Sequence, residues 1–159
     1  MPKQAAGILL FRRRSTSPRA GATRLDVLLA HPGGPLWARK DDGAWTLPKG
    51  QFTDDEAPLD AAKREFEEEM GSKPVGDFLA LGPLTQASGK VIYAWACESD
   101  FDCATVKSNL FSLEWPPRSG RMGEFPEVDR AGWFSIDAAR VKILKGQAPF
   151  LDRLLALLK

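Results

Sequence analysis

Short apolar runs alternate with turn-forming segments along most of the chain. Ala5 to Phe11 is one such run; it is too short for a membrane span and predicts a buried strand. Leu25 to Ala30 predicts a second strand, and residues 12 to 24, with their Arg, Ser, Gly and Pro, predict the loop between them. His31-Pro32-Gly33-Gly34-Pro35 is turn punctuation, with His31, the only histidine, at the strand end. Trp45 to Leu47 predicts a third short strand ended by Pro48. Further strands are expected over Phe78–Leu84, Val91–Cys97, Phe111–Trp115 and Trp133–Phe134. Residues 116 to 130 read as one long polar loop, and the tail from Asp137 onward as helix, broken near Gly146 and Pro149.

The clearest helix lies over Pro58 to Met70. Leu59, Ala62, Phe66 and Met70 recur at helical spacing and supply a core-facing stripe. Pro58 suits the first turn, Asp54, Asp55 and Glu56 lie near the positive N-terminal end, and Gly71 suits the stop. Strands mixed with helices on this scale predict an α/β sandwich built as a single domain over residues 1–159.

Composition narrows the function classes. A formal net charge of +1 argues against broad electrostatic wrapping of nucleic acid, while leaving room for a local phosphate pocket. Cys97 and Cys103 have no metal-type spacing and form no disulfide framework, so a reduced, cytoplasmic setting is expected. Cys97 reads as core. No membrane partner is expected.

The helix also carries an electrostatic problem. Glu65, Glu68 and Glu69 stand at i, i+3 and i+4, so their carboxylates share one face. Like charges at this spacing cost about 0.2–0.5 kcal/mol per pair in an isolated helix. Arg64 offsets part of this through Glu68 at i+4. A hard divalent cation would relieve the rest, and an oxygen-only donor set suits Mg²⁺ or Mn²⁺ better than Zn²⁺. An acidic run alone is usually a solvated face. Here the spacing changes the odds. Gly50, Glu56, Arg64, Glu65, Glu68, Glu69 and Gly71 fall in one register. Agreement of those seven types by chance is below about one in ten million per register.

That register resembles the Nudix box. The chain is similar to Nudix hydrolases, which cleave nucleoside diphosphates linked to another moiety. The resemblance implies a Nudix-type α/β/α sandwich of the α/β (α+β) class, with a mixed central sheet. It implies Mg²⁺ (or Mn²⁺) as cofactor. Glu65, Glu68 and Glu69 correspond to the metal-binding and base-positioning carboxylates, and Gly50 to a glycine whose carbonyl faces a metal. Arg64 corresponds to the residue that orients the glutamates, and Glu56 to a structural support. The water proton is expected to pass to Glu65 or to a later loop carboxylate. Glu127, six residues before Trp133-Phe134, is the implied further metal ligand, with Glu124 its competitor and a solvated loop acid the alternative. Ser72 departs from the pattern, which is usually aliphatic there.

Substrate choice falls to the surroundings of the box. Lys49 precedes Gly50, as in similar members that handle dinucleoside polyphosphates and diphosphoinositol polyphosphates, and Gly50 is expected to hold it beside the metal. Arg39 and Lys40 either contact phosphate or pair with Asp41 and Asp42. Arg118, with Arg121 and Arg130, is a weaker candidate to close over a polyphosphate. Lys90 reads as a hairpin-turn lysine. Trp37 is the residue expected to stack on a base, and Trp45, Trp95 and Trp115 are assigned to packing. The expected substrate is a small nucleotide or polyphosphate, above all a dinucleoside polyphosphate such as diadenosine tetraphosphate. Nucleoside triphosphate, diphosphoinositol polyphosphate, an RNA 5′ end and a non-catalytic nucleotide sensor are the alternatives.

Overall fold

The computed structural model describes residues 3–15 and 23–158. β1 (Gln4–Ser15) and β2 (Thr23–Pro32) are longer than their apolar runs. The strands take in residues 12–15 and 23–24 of the expected loop, and the remainder of that expectation, 16–22, lies outside the described residues. Polar side chains extend the pairing here: Arg12 stands opposite Asp26, whose buried carboxylate also accepts from Arg24 at 2.7 Å.

The next correction concerns residues 45–51. Trp45 and Thr46 make only isolated bridges, to Ile143 and Ala30. The strand there is β3 (Lys49–Gln51), paired antiparallel with β1 through Ala5, Ala6 and Gly7. Pro48 has no N–H to offer a ladder, but its carbonyl accepts from Ile8 N at 3.1 Å and brings the chain onto β1. Gly7 permits the approach: a Cβ there would meet Pro48 O at 2.6 Å.

α1 (Pro58–Met70) has the expected bounds. Gly71 ends it at φ +87°, donating to Glu67 O, a backbone state that favours glycine. Then follow β4 (Phe78–Thr85), β5 (Val91–Glu98), β6 (Leu110–Glu114), β7 (Met122–Pro126) and β8 (Val128–Ser135). The expected long loop at 116–130 is therefore mostly strand. β7 pairs with β6 from Leu110–Pro126 to Glu114–Met122, and the Phe111 and Phe125 rings lie 6.1 Å apart. Glycine and glutamate in β7 mask that pairing in a linear reading. Trp115, assigned to packing, instead sits 36% exposed beyond the end of β6.

The tail forms α2 (Ile136–Lys142) and α3 (Pro149–Leu157). Ser135 Oγ caps α2 by accepting from Ala138 N at 3.2 Å. Pro149 opens α3 rather than breaking a helix, because the first helical position needs no N–H.

The main sheet runs β4-β5-β1-β2-β8, with β3 also on β1. β1 and β5 are parallel and the other pairs antiparallel, so the sheet is mixed. Alternation along β1 divides the core. Ala5, Leu9 and Phe11 face the layer of α2 and α3, where Phe150, Leu151 and Leu154 are fully buried. Ala6, Ile8 and Leu10 face α1, meeting Ala62, Phe66 and Met70. Each large side chain so enclosed contributes about 1.5–3 kcal/mol. The result is the α/β/α sandwich the sequence implied. Cys97 is fully buried in the α1 layer, as expected. No helix among the described residues is long and apolar enough to cross a membrane.

Candidate active site

α1 presents two faces to the interior. Phe66 and Met70 enter the core, and the adjoining face carries Glu65, Glu68 and Glu69 toward β3. These acids, Gly50 of β3 and Glu127 line one cavity of about 500 Å³. Glu127 is the single residue between β7 and β8. Its backbone is tied on both sides: its N–H donates to Asn109 O at 2.9 Å, and its carbonyl accepts from Gly33 N at 3.0 Å. Glu124, its competitor, is exposed and lies outside the lining.

Arg64 organises the acids. Its Nε and Nη2 donate to Glu56 at 2.8 and 2.9 Å. Its Nη1 reaches Glu65 at 2.8 Å and Glu68 at 3.1 Å. The guanidinium is held charged more firmly than an ordinary arginine, by Glu56 first and then Glu65. Glu56 therefore anchors Arg64, which in turn aims two carboxylates.

The cavity raises the proton affinity of its acids. Burial pushes Glu65 above its ordinary range against the pull of Arg64, and Glu68 and Glu127 add to the push. Burial and then Glu68 do the same to Glu127. Glu69 is pushed up to about 8 by burial, against the Lys49 ammonium and an N–H donated by Lys49 at 3.1 Å. Glu69 keeps part of its surface exposed, so it is crowded by protein rather than sealed. Oxygen-only donors that resist sharing one space fit a hard divalent cation. Among the described residues no three acids are already gathered around one point. Arg64 Nη1 sits between the Glu65 and Glu68 carboxylates and bonds both. Gly50 adds room on the other side: a Cβ there would run into the Glu65 carboxylate.

Leu36, Trp37, Phe111 and Leu113 supply an apolar part of the same cavity lining. Trp37 was singled out in the sequence; the other three were not. Phe111 and Leu113 alternate with polar neighbours in β6, which was their only sequence signal, and nothing local shows what that face meets.

The basic candidates are placed less uniformly. Lys49 pairs with Gly7 while Gly50 pairs with Ala6, so the Lys49 side chain leaves β3 on the opposite face from Gly50 and stays outside the cavity lining, with its ammonium still in electrostatic reach of Glu69. Its N–H, rather than its side chain, bonds the acid cluster. Arg39 and Lys40 are exposed and outside the lining. Asp41 and Asp42 pair with Lys142 instead, at 2.7 and 2.9 Å, and Lys40 lies over the Trp37 ring at 4.9 Å. Arg118 is also outside the lining, at φ +63° in the β6–β7 turn, where its N–H donates to Glu114. Lys90 closes the β4–β5 turn as expected, its carbonyl accepting from Gln86 N. Trp45 is buried and Trp95 half-buried, both in packing roles.

Comparison with known proteins bears on the fold. An Ap4A hydrolase from C. elegans, solved as a binary complex, is 21% identical with a TM-score of 0.63, covering 97% of each chain. The NUDIX domain of Shewanella oneidensis NrtR, solved with ADP ribose, is 15% identical with a TM-score of 0.65, over 100% of this chain and 90% of that one. An ADP-ribose pyrophosphatase from Streptococcus suis is 16% identical with a TM-score of 0.61, over 100% and 93%. These likenesses establish the fold. No curated protein sequence matches the chain. The NUDIX domain profile matches residues 1–155, and the chain belongs to the Nudix family, hydrolases of phosphoric anhydride bonds.

Proposed function

We propose that this protein is a Mg²⁺-dependent pyrophosphohydrolase of a nucleoside diphosphate-linked substrate, with a dinucleoside polyphosphate such as diadenosine tetraphosphate the preferred class. The observation that carries this is one cavity lined both by the acids Glu65, Glu68, Glu69 and Glu127 and by the aromatic rings of Trp37 and Phe111. Acids that accept a cation suit the phosphate chain, and aromatic rings suit the base.

Gly50, through its carbonyl, with Glu65, Glu68, Glu69 and Glu127, would hold the ion. When bound, the ion supplies charge neutralisation of the phosphates and activation of water. Arg64 keeps Glu65 and Glu68 aimed into the cavity. Glu127 is the proton acceptor we favour over Glu65. Its carboxylate has no hydrogen-bond donor among the described residues, whereas Glu65 is engaged by Arg64 at 2.8 Å. Burial and then Glu68 raise its proton affinity, which also favours it as an acceptor. Positioning and charge stabilisation provide the rest of the acceleration.

A second reading, a shorter nucleoside diphosphate derivative, is favoured by one placement. Arg39, Lys40 and Arg118 stand outside the lining and leave a long phosphate chain few cationic partners. Hydrolysis of diadenosine tetraphosphate, ADP-ribose and ATP with Mg²⁺, with products identified, separates the readings. Preference for diadenosine tetraphosphate supports the first and preference for ADP-ribose the second. No turnover of any of them by a folded, metal-binding protein rejects both.

A further inference from the structure

His31 is fully buried, yet it does not line the cavity. Its Nε2 lies 2.6 Å from the Lys40 carbonyl, which accepts, so Nε2 carries a hydrogen. Its Nδ1 lies 2.9 Å from Asp129 Oδ1. The ring also packs edge-on against Trp45, with centroids 5.1 Å apart.

These contacts bracket one segment. At its start, Gly33 N donates to Glu127 O at 3.0 Å. Within it, Trp37 N donates to Gly34 O and Lys40 N donates to Trp37 O. At its end, the Lys40 carbonyl is held by His31, and His31 by Asp129. The segment that presents Leu36 and Trp37 to the cavity is thus tied at both ends to residues 127–129. Glu127 has a further backbone tie that does not involve His31, its N–H donating to Asn109 O at 2.9 Å.

We propose that His31 is a positioning residue for substrate specificity. It clamps the Trp37 segment to the strand behind Glu127, so that the base-binding wall is preset at a fixed distance from the phosphate-binding acids. The inference rests on the reading of that wall as a base site. A preset wall lowers the ordering cost of binding the base and leaves the bond-breaking step unchanged.

The test compares His31→Asn with His31→Gln. Asparagine reaches only the Nδ1 position and loses Lys40; glutamine reaches the Nε2 position and keeps it. His31→Asn is expected to raise KM for the nucleotide substrate about tenfold, the worth of one buried hydrogen bond, with kcat unchanged. KM for inorganic tripolyphosphate, which has no base, stays as in the wild type. Amide exchange at Trp37 and Lys40 accelerates in His31→Asn, and His31→Gln restores both properties. Unchanged exchange in folded His31→Asn overturns the proposal. So does an equal rise in KM for tripolyphosphate, or a His31→Gln variant as impaired as His31→Asn. If His31→Asn does not fold, Asp129→Ala carries the same comparison: faster exchange with a nucleotide-specific rise in KM supports the clamp, and no change overturns it. A wild type with no preference for nucleotide over tripolyphosphate rejects the base site, and the exchange data then decide the clamp alone.

Discussion

The Glu65 carboxylate occupies the space a Gly50 side chain would fill. β3 and α1 thus meet without a Cβ between them, and this places a box glycine and a box glutamate on the same cavity. Gly50→Ala is expected to displace Glu65 and reduce kcat at least about a hundredfold. The overpacking should destabilise the fold by about 1–3 kcal/mol. Steady-state kinetics and urea denaturation check the two effects. An active Gly50→Ala enzyme would show that Glu65 is not needed in this position.

Removing an acid while keeping its shape separates chemistry from packing. Glu68→Gln retains the side-chain volume but removes a charge that faces both Arg64 and the cavity. Turnover should fall about 10²–10⁴-fold with far-ultraviolet circular dichroism unchanged. A pure nucleotide sensor would have no Mg²⁺-dependent turnover to lose.

Arg64 pairs with three carboxylates, of Glu56, Glu65 and Glu68. Arg64→Ala should lower the melting temperature of the metal-free protein, because those charges then face one another unscreened. Mg²⁺ should raise the melting temperature of the variant more than that of the wild type, since binding to the native state stabilises by mass action. Thermal melts with Mg²⁺ and with a chelator measure both shifts. Equal Mg²⁺ shifts in the two proteins would mean that Arg64 does not compete with a cation for these acids.

Glu69 makes metal-free stability depend on pH. Its folded pKa is pushed up to about 8 from an ordinary value of 4.5. Between those values the folded state holds a proton that the unfolded chain has released. Stability from this group is therefore full below the unfolded pKa and is lost as pH rises through the folded one. Urea midpoints in chelator should fall more steeply from pH 5 to pH 8 in the wild type than in Glu69→Gln. Matching slopes would remove Glu69 as the source.

The apolar wall has a simpler test. Trp37→Ala should raise KM for a nucleotide substrate about tenfold while leaving kcat near the wild-type value, since stacking on one base contributes about 1–3 kcal/mol. Kinetics with diadenosine tetraphosphate measure it, and an unchanged KM would place the base elsewhere.

By itself, the sequence determined what is local. α1 has the bounds read from its apolar stripe and its Pro58 and Gly71 ends, because helical spacing is set within a few residues. The same spacing placed Glu65, Glu68 and Glu69 on one face, and Arg64 within reach of Glu68. Tertiary structure decided everything that depends on distant pairing. Glu127 reaches the acids, and Glu124 does not, because residues 122–126 pair with β6 and the Gly33 N–H donates to the Glu127 carbonyl. Phe111 and Leu113 become part of the cavity lining because β6, paired with β7, borders it. The Lys49 side chain stays outside the cavity lining because strand register alternates its face with that of Gly50. Arg39 and Arg118 remain outside the lining because turns, whose direction a composition cannot encode, carry them outward.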